Sequence, residues 1–158
     1  MRKVLWLDDE AVSISYEKDV LIDEKFPNMF DIVTFERIDE LLEFLDSEKS
    51  VDKNDIFVID IMLIDEDEFL TPKREKIQIE NDLMAGTILY RQYLKSAYPD
   101  NPIILYTSRE HERSIFQNIL DDNRYGESLF LVEKTQKDTI FLEIFEKLLK
   151  VGSWDIFF

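Results

Sequence analysis

The sequence predicts an α/β domain, a doubly wound parallel sheet of five strands with helices on both faces. Three observations carry that expectation. Five short apolar runs rich in Val, Ile, Leu and aromatic residues alternate with stretches of helical period. Most of the runs are continuous rather than alternating, as in strands buried on both faces. Several end abruptly in polar residues: Asp8-Asp9, Asp60, Thr107-Ser108 and Glu133-Lys134. In an open parallel sheet such residues fall at the carboxyl edge, where ligands bind.

The elements follow in order. Val4-Leu5-Trp6-Leu7 is a buried strand, followed by a turn at Asp8-Asp9-Glu10. Residues 11–25 place Val12, Tyr16, Val20 and Leu21 near helical spacing, and Pro27 ends that helix. Phe30 to Phe35, rich in Val, Ile and Phe, is the second strand. Residues 38–46 form an amphipathic helix with Ile38, Leu41, Leu42 and Leu45 as its apolar stripe. Asp55-Ile56-Phe57-Val58-Ile59-Asp60 is the central strand. Residues 61–83 lack a clear period and are read as an extended loop, with an acidic run over 65–68 and a basic cluster at Lys73, Arg74 and Lys76. A helix resumes at Met84 and stops before Pro99. Pro102 to Tyr106 is the fourth strand, 109–121 a helix, Leu129 to Val132 the fifth strand and 138–150 the last helix, capped by Asp138 or Thr139. Right-handed crossovers then put helices on both faces of one domain spanning 1–150, with an aromatic tail over 151–158.

The totals exclude several classes. With 19 basic and 35 acidic side chains the net charge is −16, which repels nucleic-acid phosphates and anionic lipid, so neither partner is expected. The chain has no Cys and one His, which removes disulfide and thiolate chemistry and makes zinc a poor candidate. No apolar run approaches the roughly 18 residues of a membrane span. The N-terminus enters a strand without a signal-peptide core, so a cytoplasmic location is expected.

The strand ends suggest the chemistry. If the first and third strands are neighbours, Asp8, Asp9 and Asp60 converge. Two carboxylates about 5 Å apart repel by roughly 3 kcal/mol at an effective dielectric of 20. A retained proton or a bound divalent cation relieves that repulsion. Hard oxygen ligands suit Mg²⁺. Lys134 adds a cation and Thr107 a hydroxyl, and together these are the parts that move a phosphoryl group onto a carboxylate.

With those residues in place, the sequence resembles a response regulator receiver domain. The resemblance rests on Val4 to Glu10, Phe57 to Asp60, Gly86 opening the third helix, Pro102 to Ser108 and Leu131 to Lys134. It implies the flavodoxin-like strand order 2-1-3-4-5. It implies Asp60 as phosphoacceptor, with Asp8, Asp9, Asp60 and the main-chain carbonyl of Met62 around Mg²⁺. Thr107 then resembles the switch hydroxyl and Lys134 the family lysine. The implied donor is a histidine kinase or histidine phosphotransfer protein, and the implied output runs through contacts with an unknown protein target. No output domain follows residue 150, so a stand-alone receiver is expected, a phosphoacceptor with self-dephosphorylation rather than a turnover enzyme. Departures from the family concern how the signal leaves the site: a longer segment over 65–83, Thr135 where Pro is usual, and Leu131 where an aromatic residue is common.

Each residue has a plainer role when taken alone. Asp8 or Asp9 singly is more often a helix cap, Thr107 a capping hydroxyl and Lys134 a solvated charge. His111 is more often an ordinary surface residue than a ligand. Capping does not require four strands to deliver these residue types to one edge, and that favours the joint site. The wide apolar surface of the last helix serves either a homodimer contact, as the resemblance implies, or a broad core contact. The tail aromatics bind a partner or pack back. Two rival functions remain: a binding module of the same fold with little phosphoryl traffic, and a Mg²⁺-dependent phosphohydrolase. The last would need an acid two residues after the nucleophile, and that position is Met62.

Overall fold

The structure is a computed structural model of the chain, and it describes residues 2–10, 14, 22–47, 51–107, 116–133, 140 and 142–157, with side chains of the last segment through 149. In chain order the strands are β1 (Arg2–Leu7), β2 (Phe30–Phe35), β3 (Ile56–Asp60), β4 (Glu68–Leu70), β5 (Lys76–Gln78), β6 (Ile103–Thr107) and β7 (Leu129–Glu133). Five of them form one parallel sheet in the order β2-β1-β3-β6-β7, while β4 and β5 pair as an antiparallel hairpin. Counting only the sheet, the order is the expected 2-1-3-4-5.

The pleat divides the core in two. On one face lie Leu5, Leu7, Phe57, Ile59, Ile103, Leu105 and Leu129. On the other lie Val4, Trp6, Ile56, Val58, Ile104, Tyr106, Phe130 and Val132. β3 is buried at all of its positions because strands flank both its edges and helices cover both its faces. That explains the unbroken apolar run of its sequence.

The first face is covered by α2 (Ile38–Ser47) and by the helix after the hairpin. In α2 the buried residues are Ile38, Leu41, Leu42 and Leu45, the stripe read from the sequence. The second helix is composite: a 3-10 turn at Asp82–Met84, α3 (Ala85–Leu89), a π-helical stretch at Tyr90–Leu94 and α4 (Lys95–Ala97), ending before Pro99. Asn81 caps it by accepting the Leu83 N–H at 3.1 Å. A short α1 (Asp23–Lys25) lies between β1 and β2, and α5 (Gln117–Leu120) precedes β7. The second face is covered by α6 (Leu142–Phe157), from which Ile144, Phe145 and Leu148 are buried. Ile140 and Leu149 are packed against the same cluster. The described apolar side chains of this helix therefore make the broad core contact.

Two features differ from the expectation. Residues 61–83 are not an unstructured loop, since they hold the β4–β5 hairpin with Phe69 opposite Ile77. Phe69 and Ile79 join the α2 side of the core at 2% and 6% exposure. α6 also runs on through Phe157, so the backbone of the expected tail continues the helix. The side chains of the tail aromatics, most of the helix over 11–25, His111, Thr135 and the caps at Asp138 and Thr139 lie outside the described residues.

Candidate functional site

Register brings the acids together. Leu7 pairs with Ile59, so the next residues, Asp8 and Asp60, are level on adjacent strands. Asp8 extends the ladder by donating its N–H to the Phe35 carbonyl at 3.0 Å. Alternation sends Asp8 and Asp60 to the face that carries Trp6 and Val58. Asp9 completes the group: one carboxylate oxygen from each of Asp8, Asp9 and Asp60 lies within 4.8 Å of the others. Asp8 is 1% exposed and Asp60 3%. Like charges at that spacing repel by about 3 kcal/mol per pair at an effective dielectric of 20. Three hard oxygen donors held this close fit a divalent cation such as Mg²⁺.

Neutral donors fix each carboxylate. Asp60 Oδ1 accepts the Met62 N–H at 3.2 Å. Asp9 Oδ2 accepts the Ile64 N–H at 3.0 Å. Asp8 Oδ1 accepts the Glu10 N–H at 2.8 Å, so the local turn-capping role is real and coexists with the cluster. Asp8 Oδ2 accepts from the Tyr106 hydroxyl, and that hydroxyl accepts the Trp6 Nε1–H at 3.1 Å. Burial first, then the charges of Asp60 and Asp8, push the Tyr106 phenol well above its ordinary range, so it keeps its proton.

No protein-family model matches the chain, and no curated protein matches it. Solved structures do match. RcsB from Salmonella enterica serovar Typhimurium, bound to the promoter rprA with the phosphomimetic BeF₃⁻, aligns with TM-score 0.61 at 19% identity, over 94% of this chain and 99% of that one. A CheY-like receiver domain protein from Methanospirillum hungatei JF-1 aligns with TM-score 0.58 at 18% identity, over 97% and 98%. A response regulator from Burkholderia pseudomallei, holding a phosphorylated aspartic acid, a calcium ion and citrate, aligns with TM-score 0.52 at 15% identity, over 98% and 73%.

This chain has the receiver fold.

Of the other expected residues, the described ones are Met62 and Thr107. Met62 is half-buried, with its peptide N–H on Asp60. Thr107, 2% exposed, ends β6 one residue past Tyr106, which pairs with Asp60. Lys134 lies outside the described residues, directly after Glu133, the last residue of β7. Gly86 explains itself by contact. A Cβ there would stand 2.3 Å from the Asp60 carbonyl oxygen and 2.8 Å from the Ile61 Cα. Its N–H donates to the Ile61 carbonyl at 2.8 Å, so α3 begins against the backbone of the acceptor strand.

Sequence reasoning missed four residues. Trp6 and Tyr106 had a usable signal: polar-tipped aromatics within aliphatic strands need a buried partner. Ile64 gave none, because its role is carried by a main-chain N–H. Glu66, 5% exposed, was passed over as part of an acidic run. It accepts the Ile38 N–H at 3.3 Å and so caps α2 from the hairpin segment. Burial raises its pKa, against the lowering effect of that N–H and of Arg37. A groove of about 530 Å³ lies between α2 and the hairpin, lined by Arg37, Glu43, Glu66, Leu70 and Arg74 among others. It shares no residue with the acidic trio.

Proposed function

We propose that this protein is a response regulator receiver that accepts a phosphoryl group on Asp60 from a histidine kinase or histidine phosphotransfer protein. The observation that supports this best is the convergence of Asp8, Asp9 and Asp60 at the carboxyl edge of a receiver-fold sheet. An Asp60 oxygen attacks the phosphorus of the donor phosphohistidine. The new P–O bond forms as the P–N bond breaks, and the imidazole leaves with that electron pair. Mg²⁺ held by Asp8, Asp9, Asp60 and the Met62 carbonyl would neutralise the phosphoryl oxygens. Lys134, next after β7, supplies a second cation, and the Thr107 hydroxyl bonds to a phosphoryl oxygen. Hydrolysis of the acyl phosphate by water returns the carboxylate. The signal passes to a protein target by a shift between two states of the domain. No helix among the described residues is long and apolar enough to cross a membrane. A cytoplasmic site of action fits a kinase donor.

The Asp9–Ile64 bond supports a second reading, a receiver-like binding module with little phosphoryl traffic. It draws the segment after Asp60 onto the trio. One assay separates the two. The chain is incubated with a small acyl phosphate and Mg²⁺, and its intact mass is measured. A gain of one phosphoryl group, lost in Asp60→Asn, is the expected result. No gain at any Mg²⁺ concentration, or a gain that survives Asp60→Asn, overturns the proposal. Multiple turnover on a generic phosphate ester would point instead to a phosphohydrolase.

A further inference from the structure

The geometry points to Tyr106 as a positioning residue for the acidic trio: its hydroxyl, oriented by Trp6, holds the Asp8 carboxylate in the pose that receives a divalent cation. The inference deepens the metal-dependent reading above and rests on it.

The direction of the chain of hydrogen bonds is fixed by chemistry. The Trp6 indole can only donate, and an ionised Asp8 can only accept. Tyr106 must therefore accept from Trp6 Nε1, at 3.1 Å, and donate to Asp8 Oδ2. The two rings pack edge to face at 6.1 Å between centroids, with Trp6 1% and Tyr106 5% exposed, so the hydroxyl is held by the core.

The consequence falls on Asp8. The terminal torsion of an Asp side chain is broad, so one hydrogen bond leaves the carboxylate free to swing. Here the Glu10 N–H holds Oδ1 and Tyr106 holds Oδ2. Bonds to both oxygens set the plane of the carboxylate. Each oxygen keeps a lone pair for a cation. The donation also draws charge from the most buried member of a mutually repelling trio. Partners that orient metal-ligating carboxylates typically change metal affinity by about 10- to 100-fold when removed.

The test uses the full chain and Tyr106→Phe, which keeps the ring and removes the hydroxyl. Mg²⁺ affinity is measured by calorimetric titration. Uptake of phosphoryl from a small acyl phosphate is measured as a function of Mg²⁺. The expected result is a Kd and a Mg²⁺ half-saturation both raised about 10-fold, with the rate at saturating Mg²⁺ close to that of the unaltered chain. Trp6→Phe, which removes the indole N–H donor to Tyr106 along with part of the buried ring, shifts both in the same direction by a smaller factor. Unchanged Kd and half-saturation in Tyr106→Phe overturn the assignment while leaving the phosphoacceptor reading intact. So does a lower saturating rate with an unmoved half-saturation, which would mark a purely structural role. If Tyr106→Phe does not fold, Trp6→Phe decides by the same criterion. An unaltered chain that binds no Mg²⁺ sinks the metal-dependent reading itself, and this assignment with it.

Discussion

Single side chains in this protein are tuned by what they lose and gain on burial. Glu66 is the clearest case, since desolvation raises its pKa above 4.5 and outweighs the Ile38 N–H that it caps. A raised folded pKa means that the protonated form is favoured in the native state. The associated stability is full below the unfolded value and is lost as pH rises through the folded one. At neutral pH the ionised Glu66 therefore costs stability. Glu66→Gln keeps an oxygen for Ile38 and removes the charge. Its urea midpoint should exceed that of the unaltered chain at pH 7, and the two should converge near pH 4. Asp122 has the opposite sign. Burial alone would raise it, but the Arg124 N–H, Lys95 and Tyr90 outweigh that and hold it below 3.8. Its contribution is present above the unfolded value and lost as pH falls through the lower folded one. Asp122→Ala takes the acceptor 2.9 Å away from the buried Tyr90 hydroxyl, while the exposed Lys95 ammonium, 2.9 Å from Oδ2, returns to water. A loss of about 1–2 kcal/mol is expected at pH 7 by denaturant titration. Gly86 is tuned by space instead. Gly86→Ala places a methyl 2.3 Å from the Asp60 carbonyl oxygen, and backbone cannot swing aside as a side chain would. A cost of about 1–3 kcal/mol is expected in the same titration, together with weaker Mg²⁺ binding, because the displaced strand end carries Asp60.

Among the elements, the β4–β5 hairpin joins distant parts of the fold. It is not a free appendage. Phe69 is buried in the core beside α2, Glu66 caps that helix, and the N–H groups of Leu63 and Asp65 are tied to Asp82 at 3.1 and 3.4 Å. Ile64, between them, holds Asp9. The segment after the acceptor strand is thus mechanically joined both to the acidic trio and to α2. Phe69→Ala removes the main apolar anchor of the hairpin and should cost about 3–5 kcal/mol. Amide hydrogen exchange reads the same event locally. Protection should fall first at the β4–β5 ladder and at Ile38, and unchanged exchange there would show that the hairpin is held by something other than Phe69.

For the whole molecule, charge sets the response to ions. The chain carries −16, and three of its carboxylates meet at one edge. A cation that binds only the folded form stabilises it by about 2.7 kcal/mol at one hundred times its Kd. Saturating Mg²⁺ should therefore raise Tm by several degrees, chelation should reverse the rise, and Asp60→Asn should reduce it. A Tm indifferent to Mg²⁺ would argue against a cation at the trio.

The amino-acid sequence by itself determined five strands, their burial and the residues at their ends, because a fully buried strand must be apolar along its length and its boundary shows where polarity returns. The stripe of α2 was legible for the same local reason. Register was not legible: that Asp8 stands level with Asp60, and Tyr106 opposite it, depends on which strands pair and on how they align. The hairpin escaped notice because its strands are three residues long, too short to display a period, and Phe69 is buried by α2 rather than by its own neighbours. The bonds from Tyr106 to Asp8 and from Ile64 to Asp9 span 98 and 55 residues of chain. Contacts of that separation leave no pattern along a sequence, since packing of the two sheet faces decides which distant groups come within reach.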